Sequence, residues 1–502
     1  MCGWCTAPRE PRTRRRARSC LPAPWCAYFT ISKHVTTFSL ADVALALESA
    51  ELITDRRGTL PVSASAITDD SRHVAPGTVF IAVRGTERDG HDFLQVALTN
   101  GAVAAIVEEL GKVPNGLPAI VVRDGRRAAP LAAAAAYRWP ARHLQLVGVT
   151  GTNGKTTTVN MLRHVLDAGH GRSASIGTLG VLVGSPGETI EGGGGLTTPG
   201  PVELQRLLRL LVDGGVARVA MEVSSHSLDQ RRVDGVQFDA IVFTNLTRDH
   251  LDYHRTMDAY YRAKARLLEY LLPHGTVVYN LDEKSWANLR TERRRVAFSE
   301  RVMTAEVHAE HVRFGPRGSE WTLALSTERL PVRLPLIGDF NVTNALGAAA
   351  AAYALGTPTA QIAERLSSLP QVPGRLELLN ESPAVLRDYA HTPDALERAL
   401  AAVRPFTRGR LVVVFGCGGD RDRGKRPVMG EIAERLSSLP QVPGRLDYLD
   451  SSTHDFLDFG SRPRCAAAIG APEFAEGPAT LCTGVDRYAH DCLGRPIRRA
   501  CR

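Results

Sequence analysis

Apolar residues in this chain gather into short, nearly continuous runs, separated by segments of helical period. Runs at 79–83, 101–107 and 119–122 read as buried strands. A helical pattern at 126–137 leads to Trp139-Pro140, a natural place for a domain boundary. A second block opens on an apolar run at 144–149, passes through a helical segment at 159–166, and continues with buried runs at 216–223 and 238–244. Strands that are apolar on both faces and alternate with helices predict a doubly wound parallel sheet, an α/β architecture. A third block begins at 337 and holds an Ala-rich run at 343–355, read as a buried helix, and a strand at 411–415. The expected domains are therefore 38–140, 141–336 and 337–446, between a basic extension at 1–37 and an unrelated or disordered tail at 447–502.

Composition refines this picture modestly. A length of 502 residues suits about three domains. With 44% hydrophobic and 23% charged residues the chain reads as globular, and no run has the length and character of a membrane span. The net charge is +8, and six arginines lie in the first 20 residues. Such a run is more often a solvated extension than a nucleic-acid or membrane anchor, and no nucleic-acid partner is expected. Of nine cysteines only Cys417 falls between residues 27 and 464, as suits a reducing cytoplasm. One fifteen-residue run, IAERLSSLPQVPGRL, occurs identically at 362–376 and 432–446. A single identical pair with unmatched flanks reads as a recent duplication or a joining error, not a solenoid.

Chemistry concentrates after three of the buried strands. The run Gly148-Val149-Thr150-Gly151-Thr152-Asn153-Gly154-Lys155-Thr156-Thr157-Thr158 stands between strand and helix, the context that a phosphate-binding loop requires. Glycines turn backbone N–H groups toward phosphate oxygens, and the helix start adds positive potential. Lys155 would neutralise the β- and γ-phosphates, and the Thr156 hydroxyl would ligate Mg²⁺. Glu222, at the end of the run 216–223, stands where a strand's carboxyl end can offer a second Mg²⁺ ligand. A third polar cluster, Thr244 to His254 followed by Lys264, also trails a buried strand.

Together GVTGTNGKTTT, MEVSSHSLDQRRV and FTNLTRDHLDYH…YRAK resemble the Mur ligases, specifically their UDP-N-acetylmuramoyl-tripeptide synthetase branch. Asp70-Ser71-Arg72, Gly195-Leu196-Thr197-Thr198-Pro199, Asp339 to Asn344, Asp388 to Asp394 and Gly416 to Arg426 extend the resemblance over about 38–432. It implies a three-domain fold with a central phosphate-loop sheet and a Rossmann-like, incomplete C-terminal domain. It implies that Ser71 and Thr86, Glu87 and Arg88 hold UDP, and that Thr197, Thr198, Ser224, Gln230 and Arg232 hold the muramoyl-dipeptide. By the same resemblance Gly151, Thr152, Asn153, Gly154, Lys155, Thr156, Thr157, Asn341, Arg375, Asp388 and His391 hold ATP. Thr156, Glu222 and His250 would ligate Mg²⁺, Lys264 would be an N6-carboxylysine, and Arg421 would meet the incoming diamino acid. The implied activity is that of a monomeric, cytoplasmic ligase. It would use ATP and Mg²⁺ to add meso-diaminopimelate, or alternatively L-lysine, to UDP-N-acetylmuramoyl-L-alanyl-D-glutamate through an acyl phosphate. Members that add meso-diaminopimelate carry an Asp-Asn-Pro-Arg run after the Gly-Cys-Gly-Gly-Asp motif. This chain has none, and its place falls at the second copy of the duplicated run. A derivative that binds both substrates without ligating them is the other reading.

Overall fold

The computed structural model describes residues 37–85, 88–167, 171–193, 195–416, 424–437 and, as backbone pairing, 479–483. Three sheets with their own cores follow one another along the chain.

The first sheet has five strands in the order Ile53–Arg57, Ala119–Val122, Ala102–Val107, Thr78–Ile81, Ala66–Thr68, and only the first pair is antiparallel. Helices Leu40–Ser49 and Gly125–Ala136 cover one face through Val43, Leu47, Ala128, Ala129, Ala132 and Ala133. Each begins on a polar cap. Ser39 accepts from the N–H groups of Ala41 and Asp42, and Asp124 accepts from that of Arg127, which satisfies donors that a helix start leaves open. Helix Leu94–Thr99 lies in the cluster on the other face with Phe80, Ala105 and Val107.

The central sheet has eleven strands. Its middle is parallel: Arg172–Gly177, Val216–Glu222, Gln145–Thr150, Phe238–Phe243, Leu271–Asn280, Arg294–Ser299 and Val307–Gly315. The expected strands are all here, and the sheet runs further than the apolar runs predicted. A hairpin, Gly180–Val183 with Glu188–Ile190, closes one edge, and a meander through Gly318–Leu325 and Glu328–Leu334 closes the other. Helices Lys155–Leu166 and Asp339–Ala354 pack together over one face. Residues 344–352 of the latter are buried, where small side chains let the helix sit close to its neighbours.

A third sheet orders Glu377–Glu381, Ala384–Asp388, Ala479–Thr483 and Leu411–Phe415. Here the structure departs from the sequence-based expectation. Strand Ala479–Thr483 lies inside the segment expected to be an unrelated tail, yet it pairs in parallel with both Ala384–Asp388 and Leu411–Phe415. At five residues, ATLCT, it is too short to stand out from the surrounding sequence. Helices Pro393–Val403 and Lys425–Leu436 supply Leu396, Leu400, Val403, Met429 and Ile432 to this domain's core. No helix among the described residues is long and apolar enough to cross a membrane.

Candidate active site

The carboxyl ends of the parallel strands Gln145–Thr150, Val216–Glu222 and Phe238–Phe243 converge on one place, as open α/β sheets arrange their ligand crevices. The loop after Gln145–Thr150 turns into helix Lys155–Leu166 through Gly154, whose φ of 85° favours glycine. A side chain there would also run into the Asn344 carboxamide. The loop is held from outside. Thr152 N donates to Asn245 O at 2.9 Å and Asn153 N to Asn245 Oδ1 at 2.8 Å. The Thr244 hydroxyl donates to Asn153 O at 2.7 Å.

Lys155 Nζ donates to the carbonyls of Gly151 and Thr152, both at 2.8 Å. Burial lowers its pKa, against the opposing pull of Glu222 and Asp249. Lys264, 1% exposed, donates to the same Gly151 carbonyl at 2.7 Å and stands 4.5 Å from the centre of the Tyr260 ring. Burial, and then the neighbouring Lys155, hold its amine well below the ordinary lysine range.

Glu222 is 1% exposed and ends its strand beside the loop. Its Oε2 accepts from the Thr156 hydroxyl at 3.0 Å, and its Oε1 from the Thr178 N–H at 2.8 Å. Thr156 and Glu222 are thus brought together as expected. His250 is not in hydrogen-bond contact with either: its Nε2 is 3.3 Å from Asp249 Oδ2, and its ring meets His226 edge-on at 4.8 Å. Among the described residues no group of three or more His, Cys, Asp or Glu has a metal-holding arrangement.

Beside Glu222 the five residues expected to hold the dipeptide form one connected group. The Thr198 hydroxyl donates to Glu222 O at 2.8 Å and accepts from Ser224 N at 3.0 Å. Ser224 caps helix Ser225–Asp229. Arg232 donates to Thr198 O at 3.1 Å and to Gln230 Oε1 at 2.9 Å, and Gln230 reaches the Tyr253 hydroxyl at 3.4 Å. Thr197 Oγ1 is 3.3 Å from Thr178 Oγ1.

The third domain reaches into the same place. Arg375 donates to Thr156 Oγ1 at 2.9 Å and lies 5.0 Å from the Tyr389 ring centre. Asp388 accepts from the N–H groups of Leu376 and Ala390 at 2.8 and 2.9 Å, and burial raises its pKa. His391 Nδ1 is 3.0 Å from Tyr389 O, and burial lowers its pKa. Asn341, on the helix Asp339–Ala354 that packs on the central sheet and not on the third sheet as the expected boundary at 337 implied, donates to Ile337 O at 2.8 Å and accepts from Asn344 at 3.2 Å. Thr157 is buried in the first turn after the loop.

In the first domain Ser71 opens a short 3₁₀ turn capped by Asp70, whose carboxyl the Arg72 guanidinium holds down at about 2. Arg88 O accepts from Gly85 N at 2.9 Å. Thr86, Glu87 and Arg421 lie outside the described residues. Three participants have no role assigned from sequence, although two of them, Asn344 and Asp394, stand in runs that carry the family resemblance. Asn344 stands one turn beyond Asn341 on the same helix, a spacing that could have marked it. Asp394 accepts from the Asn153 side chain at 3.1 Å across the domain boundary, and Thr178 sits in a hairpin turn that carries no motif.

The chain is similar to known proteins along most of its length. The description Mur ligase family, catalytic domain, matches residues 64–139. Mur ligase middle domain matches 149–352, and Mur ligase, glutamate ligase domain, matches 374–442. The UDP-N-acetylmuramoyl-L-alanyl-D-glutamate–2,6-diaminopimelate ligase of Geobacter metallireducens is 45% identical over 394 residues, 77% of this chain and 76% of that protein. The protein of the same name in Mesorhizobium japonicum is 43% identical over 461 residues, 88% of this chain and 90% of its own length. A solved structure of that name superposes with a TM-score of 0.59 at 32% identity, covering 74% of this chain and 76% of its own. Three domain matches in chain order, and relatives this similar over most of the sequence, place the chain in the Mur ligase family.

Proposed function

We propose that the chain is an ATP-dependent amide ligase that adds meso-diaminopimelate to UDP-N-acetylmuramoyl-L-alanyl-D-glutamate, a step in making peptidoglycan precursor. One observation carries the reading: the phosphate loop and the dipeptide-binding group meet at one buried residue, Glu222, whose carboxylate accepts from Thr156 and whose backbone carbonyl accepts from Thr198. The names of the relatives supply the substrates.

A free carboxylate is a poor electrophile. ATP supplies its γ-phosphoryl group, so that a carboxylate oxygen–phosphorus bond forms as the bond to ADP breaks. The neutral amine of the diamino acid then attacks the acyl carbon, the amide forms, and inorganic phosphate leaves. Lys155 neutralises charge on the transferring group, from a buried position where the interaction is weakly screened. Arg232 and the Thr198–Ser224 pair orient the dipeptide end. Arg375 brings a third-domain cation to the loop, and Asn153–Asp394 ties the two domains across it. The residues also fit Mg²⁺. A buried carboxylate joined to a threonine hydroxyl is a hard oxygen donor set. Thr156 and Glu222 would hold the ion, which when bound supplies charge neutralisation to the phosphates.

The absence of an Asp-Asn-Pro-Arg run favours a second reading, in which the chain binds both substrates and does not ligate them. Phosphate release with ATP, Mg²⁺ and UDP-N-acetylmuramoyl-L-alanyl-D-glutamate separates the two. Release that depends on meso-diaminopimelate, and drops at least about 100-fold in Lys155→Ala, supports the ligase. Release with L-lysine instead overturns the diamino-acid assignment. Binding without release selects the second reading.

A further inference from the structure

Thr178 stands in the two-residue turn between strands Arg172–Gly177 and Gly180–Val183, and nothing in the sequence marks it. Its backbone N–H donates to Glu222 Oε1 at 2.8 Å. Its hydroxyl lies 3.3 Å from Glu222 Oε2 and 3.3 Å from Thr197 Oγ1. One hydroxyl proton cannot serve both neighbours at once. When it goes to the carboxylate, the oxygen's lone pairs are left for Thr197. The preceding residue fits this arrangement, because any side chain at Gly177 would run into the Glu222 carboxylate.

These bonds extend a longer chain. Arg375 donates to Thr156, Thr156 donates to Glu222, Glu222 accepts from Thr178, and Thr178 meets Thr197. One end lies on the third domain and the phosphate loop, and the other on the loop expected to hold the dipeptide. We propose that Thr178 is a positioning residue that fixes the Glu222 carboxylate and couples occupation of the nucleotide site to binding of the UDP-linked dipeptide. The proposal rests on the functional reading above. Drawing Glu222 toward a bound cation–nucleotide shifts the Thr178 hydroxyl proton and with it the bond to Thr197. Each ligand then finds the other's half of the chain already ordered, so binding is reciprocal and positive. Thr178 is only half-buried, and valine matches its shape, so Thr178→Val removes the hydroxyl without emptying a core.

The test is calorimetric titration of the full chain with UDP-N-acetylmuramoyl-L-alanyl-D-glutamate, with and without Mg²⁺ and a non-hydrolysable ATP analogue. In the unmodified chain the nucleotide should tighten dipeptide binding by about fivefold or more, the lower end of ordinary coupling. Thr178→Val should bind each ligand alone with little change and lose the tightening, and Thr178→Ser should restore it. A wild-type chain that binds both ligands independently overturns the proposal and leaves the functional reading standing. So does a valine variant that keeps the tightening, or a serine variant that fails to recover it. A chain that binds neither ligand removes the functional reading, and the proposal falls with it.

Discussion

Two lysine ammonium groups, Lys155 and Lys264, donate to one carbonyl, that of Gly151, at 2.8 and 2.7 Å. Burial disfavours a charged amine here, and the neighbouring Lys155 charge adds to that cost, so the pKa of Lys264 is depressed. A neutral amine is the form that adds carbon dioxide, and the N6-carboxylysine expected from the family resemblance would exchange the crowding cation for an anion that Lys155 can pair. Lys264→Ala should therefore turn over at about 1% of the normal rate or less, and millimolar short-chain carboxylic acids should recover part of the loss. Full activity without added acid would dismiss the carbamate. The sequence could mark Lys264 only as a lysine after a polar loop. Its burial comes from helix Met257–Ala265 lying against the phosphate loop, which is a long-range fact. Lys155 was legible from the order of strand, glycine loop and helix alone, because that local order already fixes the chemistry. Thr178 was not, because its partners lie 44 and 19 residues away.

Among elements, the duplicated run offers an internal control. In both copies Ile-Ala-Glu-Arg-Leu is helical, within Thr359–Ser367 and within Lys425–Leu436, and Ile and Ala of each copy are buried. Spacing of apolar positions determines the helix, and the surroundings determine what it packs on. Ile362 and Leu366 join the central core, whereas Ile432 joins the third-domain core. The arginines differ accordingly. Arg365 donates to the His164 carbonyl at 3.0 and 2.8 Å, satisfying the end of helix Lys155–Leu166, while Arg435 pairs with Glu397 in the open. Arg365→Ala should cost about 1–2 kcal/mol, because a carbonyl loses its partner. Arg435→Ala should cost at most about 0.5 kcal/mol, as exposed ion pairs do. Thermal melts of the two variants check this, and equal losses would contradict it. Sequence patterns read the buried parallel strands well. They missed the edge strands, such as Glu328–Leu334, whose exposed and polar positions leave no continuous apolar run.

At the scale of the whole molecule, the third domain depends on a strand that no pattern announced. Ala479–Thr483 separates Ala384–Asp388 from Leu411–Phe415, so without it those two strands have no common partner. Deleting 479–483 should lower or abolish the melting step of the third domain while the first two domains unfold as before. Limited proteolysis should then cut within 377–437 first. An unchanged melting profile would show that the strand is dispensable. Domain order was readable in the sequence because each block has its own apolar runs. Contacts between domains, such as Asn153 with Asp394 and Arg375 with Thr156, were not, since they join residues 241 and 219 positions apart. The interleaved strand also bears on how the protein is made. The eleven-stranded sheet has all its strands once synthesis passes residue 334, and the first sheet has its own by residue 122. The third sheet must wait until residue 483 has been added, holding a gap between strands already made. During that interval the facing edges of Ala384–Asp388 and Leu411–Phe415 carry unpaired backbone groups, which makes the nascent third domain the stretch most in need of chaperone cover on the ribosome.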